Sequence, residues 1–180
     1  MDDRIPGSLR GRGKKVSDKV LKSASRSLTL LDQREIEASI VGPLVRAMMA
    51  RFGEEPATEV LAEVVRELAR KSGSELAQKL GDCGLRAFAT NLATWTAGDA
   101  LRLEVIENTD DKLSFNVTRC QYAEMYRRLG LENLGGTLSC LRDFELAKGF
   151  NPSIRLVRTQ TLMEGASHCD FRFEMISEAE

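Results

Sequence analysis

The stretch Leu101–Thr118, LRLEVIENTDDKLSFNVT, decides how the chain is read. Leu101, Leu103 and Val105 alternate with Arg102 and Glu104; Leu113, Phe115 and Val117 alternate with Ser114, Asn116 and Thr118. A period of two sends successive side chains to opposite faces, so each half predicts a strand with one apolar face. Asn108-Thr109-Asp110-Asp111 supplies the short polar residues that favour a turn between them. The two halves make an antiparallel hairpin that ends at Arg119-Cys120.

Downstream, helical segments are expected from Gln121 to Leu129, closed by Gly130, and from about Leu134 to Lys148, closed by Gly149. Asn151-Pro152 turns the chain. Ile154, Leu156 and Thr159 open a third strand that runs to about Met163, and Glu164-Gly165-Ala166-Ser167 is a tight connection. From His168 to Ile176 the pattern alternates again through Cys169, Phe171, Phe173 and Met175. Hairpin, two helices, hairpin predicts a four-stranded antiparallel sheet covered on one face by helices.

Upstream the period is helical. Ile36, Ile40, Leu44 and Met48 recur every fourth residue, which predicts a helix over roughly Gln33 to Arg51, with Asp32 as N-cap and Gly53 as stop. Pro43 should kink or split it. Val60, Val64 (with Leu61) and Leu68 make a second stripe over Ala57 to Lys71, and a third segment after Gly73 carries Leu76, Leu80, Leu85, Phe88 and Leu92 to Trp95, with a break near Gly81 and Gly84. These stripes, with Cys83, Phe88 and Trp95, are expected in the core. The fold class is therefore α+β, N-terminal helices before a four-stranded sheet.

Length favours one domain over residues 32–180, preceded by a tail over residues 1–31. The tail is basic: eight Lys/Arg against three Asp lie between Met1 and Arg26, although the whole chain balances 26 basic with 27 acidic residues. GSLRGRGKKVSDK reads as a flexible segment, and with no aromatic residue interleaved it gives no base-stacking platform. Neither a nucleic-acid nor a membrane partner is expected, and a cytoplasmic location is. Nothing fixes the oligomeric state, and a homo-oligomer is admitted. The four cysteines, Cys83, Cys120, Cys140 and Cys169, form no CxxC pair and are expected to be reduced.

Three of those cysteines fall at element ends, where distant segments converge. Cys120 ends a strand, with Glu124 one helical turn on; Cys140 lies early in a helix, with Asp143 on the same face; Cys169 opens the last strand, with Asp170 facing the other way. Cys120, Cys140, Asp143 and Cys169 can share a pocket. The one histidine, His168, points opposite to Cys169.

The same region carries a longer pattern: Cys120-Gln121-Tyr122-Ala123-Glu124, Leu129-Gly130-Leu131, Cys140-x-x-Asp143, Gly149-Phe150-Asn151-Pro152, Arg158-Thr159-Gln160-Thr161, and Gly165 to Phe171. In this order and spacing it resembles the L-2-amino-thiazoline-4-carboxylic acid hydrolase family. The ending GASHCDFRF is also similar to that of 4-vinyl-reductase-like small-molecule-binding domains, whose fold is shared with trafficking subunits of the Bet3 type. Some of those domains hold zinc with cysteines and a Glu; this chain departs from them at Thr161, where their pattern has a cysteine.

The resemblance implies a hydrolase that opens a cyclic isothiourea or amidine, with water adding between nitrogen and sulfur and the C–S bond breaking to give an N-carbamoyl cysteine. Two chemistries fit. A cysteine thiolate attacks the ring carbon while a carboxylate moves protons, with Cys140 the first choice because a helix N-terminus lowers a thiol pKa, and Asp143 the proton shuttle or the anchor of the substrate amidine. Alternatively Cys120, Cys140, Asp143 and Cys169 hold zinc, one ligand leaving room for a water. No cofactor is favoured. Arg119, Arg142 and Arg158 are candidates to hold the substrate carboxylate, with Glu124 and Asp170 as further substrate contacts. A non-catalytic small-molecule-binding or sensor domain is the alternative.

Overall fold

The computed structural model describes residues 28–176, so the expected tail lies outside the described residues as far as residue 27. Helices α1 (Leu30–Phe52), α2 (Glu54–Leu80), α3 (Leu85–Ala89) and α4 (Leu92–Thr96) precede strands β1 (Leu101–Asn108) and β2 (Lys112–Cys120). Helix α5 (Gln121–Arg128), helix α6 (Glu132–Gly135), a π turn (Gly136–Cys140) and helix α7 (Leu141–Phe150) follow, then β3 (Ile154–Val157) and β4 (Cys169–Met175). The four strands form one antiparallel sheet in the order β1-β2-β4-β3. The α+β class and the hairpin–helices–hairpin order are as the sequence predicts.

Helix α1 starts earlier than expected. Thr29, not Asp32, is its N-cap: the Thr29 hydroxyl accepts from the Asp32 N–H at 3.1 Å, and the Thr29 N–H donates to the Asp32 carboxylate at 2.8 Å. This reciprocal capping box satisfies two backbone donors that the helix itself cannot. Pro43 lies inside α1 without ending it.

The helical stripes face the other way from expectation. Ile36, Ile40, Leu44, Val60, Val64 and Leu68 are exposed, Ile40 by 67%. The buried faces are instead Ala38, Gly42 and Val45 on α1 and Ala57, Leu61, Val65, Ala69 and Gly73 on α2. Small side chains let helices approach closely, so the buried seam is low in bulk and easily out-shouted by the branched residues outside it. Helix α2 ends at Gly81, the break that Gly81 and Gly84 predict, and runs on through Gly73, where the sequence separated two segments. A Cβ there would strike the Leu146 carbonyl and the Phe150 N–H, and one on Gly149 would strike the Arg70 carbonyl. The two glycines are the points where α2 and α7 touch backbone to backbone.

Two apolar cores result. One joins the inner face of the sheet to α3, α4 and α7: Phe115 stacks on Phe171 at 4.9 Å, and Phe88 meets Phe173 at 5.1 Å and Phe150 at 5.3 Å. The other joins α1 and α2 to α5 and α6 through Val45, Leu61, Val65, Tyr126 and Leu134. Cys120 packs against both. Cys83, expected in the core, is exposed in the link after α2, where its carbonyl accepts from the Asn151 side chain at 2.9 Å. No described helix is long and apolar enough to cross a membrane.

Candidate active site

The junction of the two cores opens into a cavity of about 340 Å³. Cys120, Cys140 and Cys169 all line it, with Asp143, Arg142 and Arg158 beside them and Trp95, Leu101, Leu146 and Phe171 as apolar wall. The size suits a small organic ligand.

Each thiol is held by a different local device. Cys120 is the N-cap of α5, and its sulfur accepts from the Ala123 N–H at 3.4 Å. Burial pushes this thiol up to about 11, which the Ala123 bond offsets in part. Cys169 opens β4 opposite Val117, and its sulfur accepts from the Leu162 N–H at 3.2 Å; burial raises it too. Cys140 closes the π turn, and no described residue donates a hydrogen bond to its sulfur. π turns displace a side chain from the regular helical repeat and recur at functional sites.

The expected helix N-terminus at Cys140 is absent. The π turn continues the helix backwards, and the Leu141 N–H is spent on the Gly136 and Ser139 carbonyls. The Cys140 thiol is accordingly raised and not lowered: burial is the main cause, the Asp143 charge adds to it, and Arg158 opposes it. Burial thus disfavours the thiolate at all three pocket cysteines.

Arg158 ties the site together. Its guanidinium donates to Asp143 at 2.6 Å and to the Cys140 carbonyl at 3.0 Å, and lies 4.9 Å from the ring centres of both Phe144 and Phe171. Only 5% of its side chain is exposed. Burial works against its charge, but Asp143 and Cys140 outweigh burial and raise its pKa. Burial likewise raises Asp143, and the neighbouring arginines offset only part of this. The result is a carboxylate more basic than usual, one turn from an unbonded thiol, which suits proton transfer.

The third strand ends at Val157, well short of the expected Met163, because Asp170 diverts the chain. Its carboxylate accepts from the Thr159 and Gln160 N–H groups, both at 2.9 Å, and from the Thr159 hydroxyl at 2.7 Å. The Gln160 side chain then reaches the His168 ring and carbonyl. Asp170 thus sets the segment that delivers Arg158 and does not line the cavity. Arg119 and Glu124 do not line it either; they pair with each other at 3.1 Å on the surface, where Arg119 also meets Asp99 at 3.2 Å.

Sequence reasoning missed Gln33 and Arg34, which enter from the first turn of α1, and Tyr122, whose hydroxyl donates to the Trp95 carbonyl at 3.3 Å. Tyr122 sits inside the Cys120–Glu124 motif and could have been named from it. Nothing local marks Arg34. Among the described residues no three His, Cys, Asp or Glu side chains converge to hold a metal ion, so the four expected zinc ligands share a cavity without making a coordination site.

The model of the L-2-amino-thiazoline-4-carboxylic acid hydrolase family matches residues 33–173. No curated protein matches the chain. Among solved structures, a trafficking protein particle complex subunit 3 from Naegleria fowleri, covalently bound to palmitic acid, is similar at a TM-score of 0.50 and 11% identity, over 81% of this chain and 96% of that one. The phenol-responsive sensory domain of the transcription activator PoxR, with phenol, is similar at 0.47 and 12% identity, over 78% and 75%. An H-NOX domain from Shewanella oneidensis follows at 0.43 and 14% identity, over 89% and 88%. The first of these likenesses shows a shared fold.

Proposed function

The chain belongs to the L-2-amino-thiazoline-4-carboxylic acid hydrolase family, and on that premise we propose that it opens a cyclic isothiourea such as L-2-amino-thiazoline-4-carboxylate to N-carbamoyl-L-cysteine. The observation that carries this is the Cys140 sulfur, which accepts no hydrogen bond from a described residue and lies one turn from Asp143, a carboxylate more basic than usual, in a cavity of small-molecule size. A resting thiol needs a base at the moment of attack, and Asp143 supplies it. Cys140 sulfur adds to the ring carbon between nitrogen and sulfur as its proton passes through Asp143 to the ring nitrogen. The C–S bond of the ring then breaks, the released sulfur takes up a proton, and the carbon remains on Cys140 as an isothiourea. Water adds to that carbon, Cys140 leaves as a thiol, and the carbamoyl product is complete. Arg158 holds Asp143 in place throughout.

Turnover followed by thiol release and product mass tests this. Ring opening should persist after chelation and fall by at least about a thousandfold in Cys140→Ala, as loss of a covalent nucleophile requires. No turnover on any cyclic isothiourea or amidine would sink the enzyme. A second reading, a binding domain without catalysis, is favoured by the burial that disfavours the thiolate at all three cysteines of a largely apolar cavity; it expects the ring to bind and be recovered unchanged.

A further inference from the structure

Three arginines line the cavity, and among the described residues two carboxylates answer them. Arg158 is fully engaged by Asp143, the Cys140 carbonyl and two rings. Arg34 and Arg142 share a single partner, Glu37. Arg34 donates to both Glu37 oxygens, at 2.8 and 2.6 Å; Arg142 reaches one of them at 3.5 Å while its Nε donates to the Leu138 carbonyl at 2.8 Å. Both arginine side chains are largely buried, 19% and 16% exposed, whereas Glu37 is 47% exposed and is not part of this cavity's wall. Burial and the neighbouring Arg34 charge both disfavour the charge on Arg142. Among the described residues one positive charge is thus left over at the cavity wall, beside largely buried side chains, where an unmatched charge is costly.

We propose that Arg34 and Arg142, braced by Glu37, are the carboxylate subsite of this cavity, so that its ligand is a small carboxylic acid whose carboxylate meets these two arginines and whose ring faces Cys140 and Asp143. The guanidinium forks match a carboxylate, and one added negative charge closes the balance. This rests on the hydrolase reading for the identity of the ring, not for the charge count. It moves the anion-binding role from the positions flanking the C-terminal motifs to α1, the element whose motif signal is weakest.

Calorimetric titration of the full chain carrying Cys140→Ala, so that no ligand is consumed, separates the two claims. The probes are L-2-amino-thiazoline-4-carboxylate and the same ring without its carboxylate. The acid should bind about tenfold or more tightly than the bare ring. That preference should fall about tenfold in Arg34→Gln and in Arg142→Gln, and Arg34→Lys should recover part of it. Unchanged affinity for the bare ring reports an intact pocket; if Arg142→Gln loses it through the Leu138 contact, Arg34→Gln decides. A preference that survives Arg34→Gln overturns the subsite, as does its absence in the protein with both arginines. An arginine-dependent preference, when the unsubstituted chain turns over neither probe, keeps the subsite and retires the hydrolase; turnover by the unsubstituted chain that is indifferent to the carboxylate does the reverse.

Discussion

Asp170 shows how one side chain can shape a site it never enters. It accepts two backbone N–H bonds and one hydroxyl, and these bonds outweigh partial burial to hold its pKa below the usual carboxylate range. The folded state therefore prefers the anion. Its contribution is present above the unfolded value, about 3.9, and is lost as pH falls through the lower folded value. Asp170→Ala should cost about 2 kcal/mol at pH 7, the usual worth of hydrogen bonds to a charged group. Urea unfolding at pH 7 and again near pH 3 checks this, and the gap between the two proteins should narrow at the lower pH. An equal gap at both would mean that the carboxylate charge contributes nothing. The alternation of Cys169, Asp170 and Phe171 already put Asp170 on the far face in the sequence. Its partners were not legible, because they are backbone groups eleven and ten positions away.

At the scale of elements, the sequence was clearest where the period was two and least clear where it was near four. On β2 alternation identifies both the strand and its buried face, since Leu113, Phe115 and Val117 turn inward together; on β1 it holds only through Leu103, because the register shifts between Val105 and Glu107 and leaves Val105 exposed. A helical stripe identifies a helix, but the bulkier stripe was not the inner one. On α1 and α2 the inner face is chosen by clearance, and clearance is written in glycine and alanine. This gives a sharp contrast between two glycines near the same helix. Gly149→Ala drives a Cβ into the Arg70 carbonyl of α2, which neither backbone can yield, and should cost about 3 kcal/mol. Gly136→Ala meets nothing within 4 Å at a helical φ of −57° and should be neutral or stabilising by up to about 1 kcal/mol. Denaturant midpoints of the two variants provide the measurement; a comparable loss in both would refute the close-approach account of α2 and α7.

Across the whole molecule, the site exists because two cores meet without fusing. The sequence placed Cys120, Cys140, Asp143 and Cys169 at element ends, and the cavity does gather them. It could not place Arg34, whose presence depends on how α1 crosses the helices that follow the hairpin. Nor could it give the state of Cys140, because the π turn is a tertiary choice with no sequence mark. The Asp143–Arg158 pair joins α7 to the segment after β3, and so links the helical layer to the sheet. Removing one partner leaves the other charged in a desolvated place: Asp143→Ala should cost about 3–5 kcal/mol by stranding Arg158 between its two rings. Replacing both, as Asp143→Leu with Arg158→Met, removes the desolvation cost along with the attraction, and stability should return to within about 1 kcal/mol of the parent. Activity should not return with it, because the base proposed for Cys140 is gone. Unfolding free energies and turnover, taken on the parent, Asp143→Ala and the double variant, separate the pair's two roles. If the double variant were as unstable as Asp143→Ala, the pair would be a structural clamp that apolar packing cannot replace. If it recovered turnover, Asp143 would not be the base.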